Sequence, residues 1–91
     1  MTPNNHTPLG ENEIYERLTR IFHEVFEDPS IVLTAETTEA DLPGWDSFSN
    51  ASLIAAIEQK FGIRFRTAEL QALQNVGNFV EMIHAKLSAP R

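Results

Sequence analysis

Cysteine is absent from the 91 residues. That excludes disulfides and thiolate zinc sites, and any thiol chemistry must come from a group outside the polypeptide. Base is also scarce. Seven lysines and arginines face thirteen acids, a net charge of −6, which repels nucleic acid and anionic lipid and predicts neither as a partner. No apolar run approaches the roughly 20 residues of a membrane span. The first ten residues have neither a basic start nor an apolar core, so no signal peptide is predicted and the expected location is the cytoplasm.

Hydrophobic residues make up 42% of the chain and charged residues 22%, as in an ordinary globular domain. One domain of this size buries about 60% of its unfolded surface, with little room for a deep catalytic cleft. Residues 1–10, rich in proline, asparagine and threonine, read as a flexible tail. The domain proper is expected over 11–87, with a second tail over 88–91.

From about Glu11 to Glu27, Ile14, Leu18, Ile21, Phe22 and Val25 share one stripe at 100° per residue, the pattern of an amphipathic helix that Asp28-Pro29 ends. Glu13 with Arg17 and Glu16 with Arg20 are spaced to pair on its outer side. Residues 28–45 form a connection longer than the roughly 12–15 residues usual for structureless loops. Such a segment is either functional or ordered by its own contacts. Ile31, Val32, Leu33 and Leu42 are its predicted anchors, Pro43-Gly44 is a turn signal, and Trp45 either covers the core or stands at a docking surface.

The run from about Ser47 to Phe61 has two apolar sides. Leu53, Ile54, Ile57 and Phe61 point one way; Phe48, Ala51 and Ala55 lie nearly opposite, beside Ser52 and Gln59. So small a domain cannot easily bury both sides, which suggests a surface kept apolar for a partner. Alternatively Phe48 tucks under the long loop and the alanines are helix formers. Gly62 stops the helix, and Ile63-Arg64-Phe65-Arg66 is a short extended connector. Thr67 is a plausible N-cap for a short helix from Ala68 to about Leu73, and Asn75 caps a last helix over about Val76 to Leu87. The expected fold is all-α: a small four-helix bundle of three main helices plus one short one.

Catalytic and metal readings fail. His6, His23 and His84 lack metal-ligand spacing, and no nucleophile-elbow motif is present, so no enzyme is predicted. Arg64 and Arg66 are too few for a nucleic-acid footprint. Asp46-Ser47 remains. Both residue types are preferred helix caps, and the first turn of a helix, with its unpaired amides and partial positive charge, also suits an attached phosphate ester.

Asp41-Leu42-Pro43-Gly44-Trp45-Asp46-Ser47-Phe48, followed by Leu53-Ile54-Ala55-Ala56-Ile57-Glu58 and Phe61-Gly62-Ile63, resembles the acyl carrier proteins and their peptidyl-carrier relatives. The resemblance covers roughly residues 11 to 87 and implies an acyl-carrier-like fold. It implies that Ser47 receives 4′-phosphopantetheine from coenzyme A, that Asp46 belongs to the surface the phosphopantetheinyl transferase recognises, and that the reactive thiol belongs to the arm. The implied function is to carry an acyl or aminoacyl thioester, as a monomer, between a loading enzyme and downstream synthases. Phe48, Ala51, Ala55 and Glu58 are the expected partner-binding residues, and Asn50 is a further candidate for contacting the arm or its cargo, or else a polar residue at the end of the core. Two departures from the fatty-acid carriers stand out: Phe48 replaces the usual leucine, and Glu58 is the single acid of a helix that also holds Ser52, Gln59 and Lys60. Both tilt the expectation towards a dedicated fatty-acid, polyketide or nonribosomal-peptide pathway. The competing reading is an unmodified helical interaction domain in which Asp46-Ser47 is only a cap.

Overall fold

The computed structural model describes residues 10–88, so the expectations for 1–9 and 89–91 lie outside the described residues. Four α-helices appear in order: α1 Glu11–Phe26, α2 Ser47–Phe61, α3 Thr67–Gln71 and α4 Val76–Ser88, with a 3₁₀ turn at Glu39–Asp41 between the first two. No strand occurs among the described residues.

The apolar stripes of the sequence become the core. Ile14, Leu18, Ile21 and Phe22 of α1 are buried against Leu53, Ile54, Ile57 and Phe61 of α2 and Val76, Phe79, Val80 and Ile83 of α4. α1 packs on both of these helices and so forms the spine of the bundle. Val25 and Leu87, at the ends of their stripes, are only partly buried. α1 stops at Phe26 because Glu27 turns left-handed, with φ 54°, and its amide donates back to the His23 carbonyl. Of the two ion pairs expected on α1, Glu13 with Arg17 forms, at 3.4 Å. No Glu16–Arg20 bridge forms among the described residues, and on a solvated helix face such a pair contributes only a few tenths of a kcal/mol in any case.

The long connection is ordered by its own contacts. Thr37 is buried, its hydroxyl accepting from the Thr34 amide at 2.9 Å. The loop is then fastened to the start of α4 through backbone alone, Val76 N–H to Thr37 O and Gly77 N–H to Ala35 O, both at 2.9 Å. Gly77 makes this approach easy, since a Cβ would stand 3.0 Å from Ala35 O and 3.1 Å from Ala35 Cβ, and the loop would have to give by a few tenths of an ångström. Ile31 is buried and Leu33 and Leu42 partly so, as expected of anchors. Val32 is not an anchor: it is 76% exposed, because Ile31 and Leu33 on either side take the inward positions of this extended stretch.

The bounds of α3 and α4 differ from the sequence expectation, and α3 stops at Gln71 rather than about Leu73. α3 begins at Thr67, one residue early, with Arg66 in the cap position. The Arg66 amide is satisfied by Glu69 Oε1 at 2.7 Å, so a side chain reaching back from the first turn replaces a threonine cap. α4 runs through Ser88, which the sequence assigns to the tail. Asn75 caps α4 as expected, its Oδ1 accepting from Asn78 N–H at 2.8 Å.

Candidate functional site

The start of α2 is built from the turn that precedes it. Leu42 O accepts from Trp45 N–H at 3.1 Å across Pro43-Gly44, and Gly44 takes φ 92°, a region closed to most side chains. Trp45 is then driven inward. It is 6% exposed, meeting Phe22 edge-on with ring centroids 5.2 Å apart and lying 6.2 Å from Phe79. Of its two expected roles, covering the core is the one it takes. Each such aromatic pair contributes roughly 0.5–1.5 kcal/mol beyond area burial, so the residue two before Ser47 is a firm anchor. Its indole N–H donates to Asn50 Oδ1 at 2.9 Å, which gives Asn50 a structural partner.

Asp46, in extended backbone, is the N-cap of α2. Its Oδ1 accepts from Ser49 N–H at 2.9 Å, and Ser49 Oγ accepts from Asp46 N–H at 2.9 Å and donates to Gly44 O at 2.6 Å. The capping thus falls to Asp46 and Ser49. Sequence reading passed over Ser49, although the Asp-x-x-Ser spacing of a reciprocal capping pair was its signal. These bonds from Ser49, first its amide and then its hydroxyl, hold the Asp46 carboxyl below the usual carboxylate range.

Ser47 is left out of this network. It occupies the first helical position, is exposed, and its hydroxyl takes part in no hydrogen bond among the described residues. A phosphate ester fits here: nothing needs to move, the oxygen gives up no partner, and the helix start favours an anion.

The two-sided helix is as expected. Leu53 and Ile57 are 0% exposed, whereas Phe48 is 85% exposed with Ala51 and Ala55 also at the surface, so Phe48 does not tuck under the loop. Glu58 is half-buried, and its Oε2 accepts from Phe65 N–H at 2.8 Å, committing one oxygen to the α2–α3 connector. On the other side of the site, a cavity of about 470 Å³ opens between the loop, α2 and α3, with Thr38, Trp45, Asn50, Ile54, Leu73 and Phe79 among its walls. The sequence carried no signal for it. His23 serves the fold, its Nε2 lying 2.8 Å from Ile31 O, and no cluster suited to a metal occurs among the described residues.

A four-helix scaffold that holds an unengaged serine hydroxyl at a helix start, beside an exposed apolar helix face, suits a carrier domain. Comparison with known proteins agrees: the family model described as a phosphopantetheine attachment site matches residues 16–83. The acyl carrier protein of Acidothermus cellulolyticus is 34% identical over 82 residues, covering 89% of this chain and 98% of the relative. That of Saccharopolyspora erythraea is 27% identical over 74 residues, 81% and 78% of the two chains. The solution structure of a holo acyl carrier protein from Geobacter metallireducens superposes with a TM-score of 0.78 at 44% identity, covering 81% of this chain and 85% of that one. The chain belongs to the phosphopantetheine-bearing acyl carrier protein family, whose members carry cargo and do not catalyse.

Proposed function

We propose that Ser47 is the attachment point of the 4′-phosphopantetheine arm. One contrast carries this reading: Asp46 and Ser49 are tied to each other, while the Ser47 hydroxyl between them is exposed and unengaged. In the transfer, the Ser47 Oγ–phosphorus bond forms, the pyrophosphate bond of coenzyme A breaks with adenosine bisphosphate leaving, and the serine proton passes to the transferase. The arm supplies the thiol that this chain lacks, and cargo is held on it as a thioester. The chain's own residues do the rest. Trp45, Asp46 and Ser49 fix the helix start, and Phe48, Ala51 and Ala55 present an apolar face to the transferase, the loading enzyme and the synthases. Tethering raises the effective concentration of cargo at successive active sites.

The pathway proposed is a dedicated fatty-acid, polyketide or related one. It is supported by Phe48, 85% exposed beside Ser47 at the start of α2, and by a helix whose only acid, Glu58, is partly spent on Phe65. An aminoacyl cargo is the second reading, and parallel loading assays with acyl transferases and adenylating enzymes separate the two.

The attachment is tested by incubating the chain with coenzyme A and a broad phosphopantetheinyl transferase, then measuring intact mass. The wild type should gain one arm, Ser49→Ala should still gain it, and Ser47→Ala should stay at the apo mass. A wild type that stays apo, or a Ser47→Ala chain that loads, overturns the proposal.

A further inference from the structure

The chain as a whole is acidic, with a net charge of −6, yet its few cations gather beside the exposed side of α2. Along the border with α1, Arg17, Arg20 and Lys60 line a groove of about 330 Å³ with Ile21 and Glu24. Arg17 also reaches Glu13 at 3.4 Å. Past the C-terminal end of the helix, Arg64 stands with Ala55 and Glu58 at a second groove of about 580 Å³. Four of the seven basic residues therefore flank the second half of α2. Three carboxylates stand among them, Glu13, Glu24 and Glu58; Glu13 pairs with Arg17, and Glu58 already accepts a backbone N–H. At the other end of the helix, next to Ser47, Asp46 is negative. The exposed face thus runs from a carboxylate at its start, through Phe48, Ala51 and Ala55, to a cationic border at its end.

From this layout we infer that the partner enzymes of this carrier meet α2 with an apolar socket rimmed by carboxylates, seated over the Lys60 and Arg64 end. The inference rests on the reading that the exposed side of α2 is the docking face. It reverses what net charge predicts, namely basic partners. At physiological ionic strength the screening length is about 8 Å, so groups at the interface outweigh the acids on the far side of α1. The polarity also fixes orientation. A rim of carboxylates is attracted to the cationic end and repelled from Asp46, which leaves the Ser47 end facing the partner's catalytic entrance.

The test uses two synthetic amphipathic helices with the same Leu/Phe face, one flanked by glutamates and one by lysines. Each is titrated at physiological salt into the ¹⁵N-labelled chain, both before and after arm transfer. The Glu-flanked peptide should shift the amides of Phe48, Ala51, Ala55 and Arg64 and bind that face about tenfold tighter than the Lys-flanked one. The double variant Lys60→Glu, Arg64→Glu alters two exposed positions and should reverse the preference with its amide spectrum otherwise unchanged. The inference is overturned if the Lys-flanked peptide takes the α2 face equally well or better, if the Glu-flanked peptide fails to bind there, or if the double variant leaves the preference as it was. Failure of the Ser47 attachment appears separately, in the intact mass, because the titration is read on the unmodified chain as well.

Discussion

Leu53 and Ile57 lie wholly inside the protein, while Phe48, on the opposite side of the same helix, is 85% exposed. Both sides of α2 carry apolar residues, the outer stripe the thinner, and they differ in what covers them. α1 packs on the first; nothing among the described residues covers Phe48 on the second. A helix that served the fold alone would carry polar residues outward, as α1 does with Glu13, Glu16, Arg17 and Arg20. On the proposed reading, the outer side of α2 answers to partners as well as to stability.

That contrast can be broken experimentally, and the largest effect is expected on its inner side. Leu53→Ala should cost about 2–5 kcal/mol in denaturant unfolding, the range for a buried leucine cut to alanine. Trp45→Phe keeps most of the packing but leaves Asn50 Oδ1 without its donor. A loss of roughly 1–2 kcal/mol is expected, and a larger one would mean that the indole also holds up the cavity wall. Asp46→Ala should lower Tm at neutral pH, with a pH dependence that identifies the cause. The folded-state pKa of Asp46 is depressed, so its contribution is present at neutral pH and is lost as pH falls through that value. The gap in Tm between variant and wild type should therefore close below about pH 4, the ordinary carboxylate range. Phe48→Ala should change stability least, by within about 0.5 kcal/mol, while slowing arm transfer or cargo loading. If it unfolds the chain instead, the outer side belongs to the core and the comparison fails.

Much of this was legible in the sequence because it is written in side chains. Period and capping residues set the helices, and the opposed stripes of α2 marked both the core and the surface. What could not be read is held by backbone or by approach in space. The bonds from Val76 and Gly77 to Thr37 and Ala35 have no side-chain signature beyond one glycine. Val32 looked like an anchor because composition does not say which way an extended residue faces. The cap of α2 was narrowed to Asp46 or Ser47, and only the extended backbone of Asp46 assigned it. Glu69 replaced Thr67 in satisfying the start of α3, and it also binds Lys86 of α4 at 2.8 Å, a link 17 positions along the chain that no local pattern announces.

The backbone clip between the loop and α4 bears on how such a carrier can diverge. Main-chain atoms make the joint, so mutation can rewrite the outward side chains of the loop, Val32, Glu36 and Glu39 among them, without loosening the stretch that leads to Ser47. Gly77 is the most constrained point, since a side chain there would press on Ala35. Substitutions at those outward positions leave the distance from Ser47 to the body of the protein unchanged.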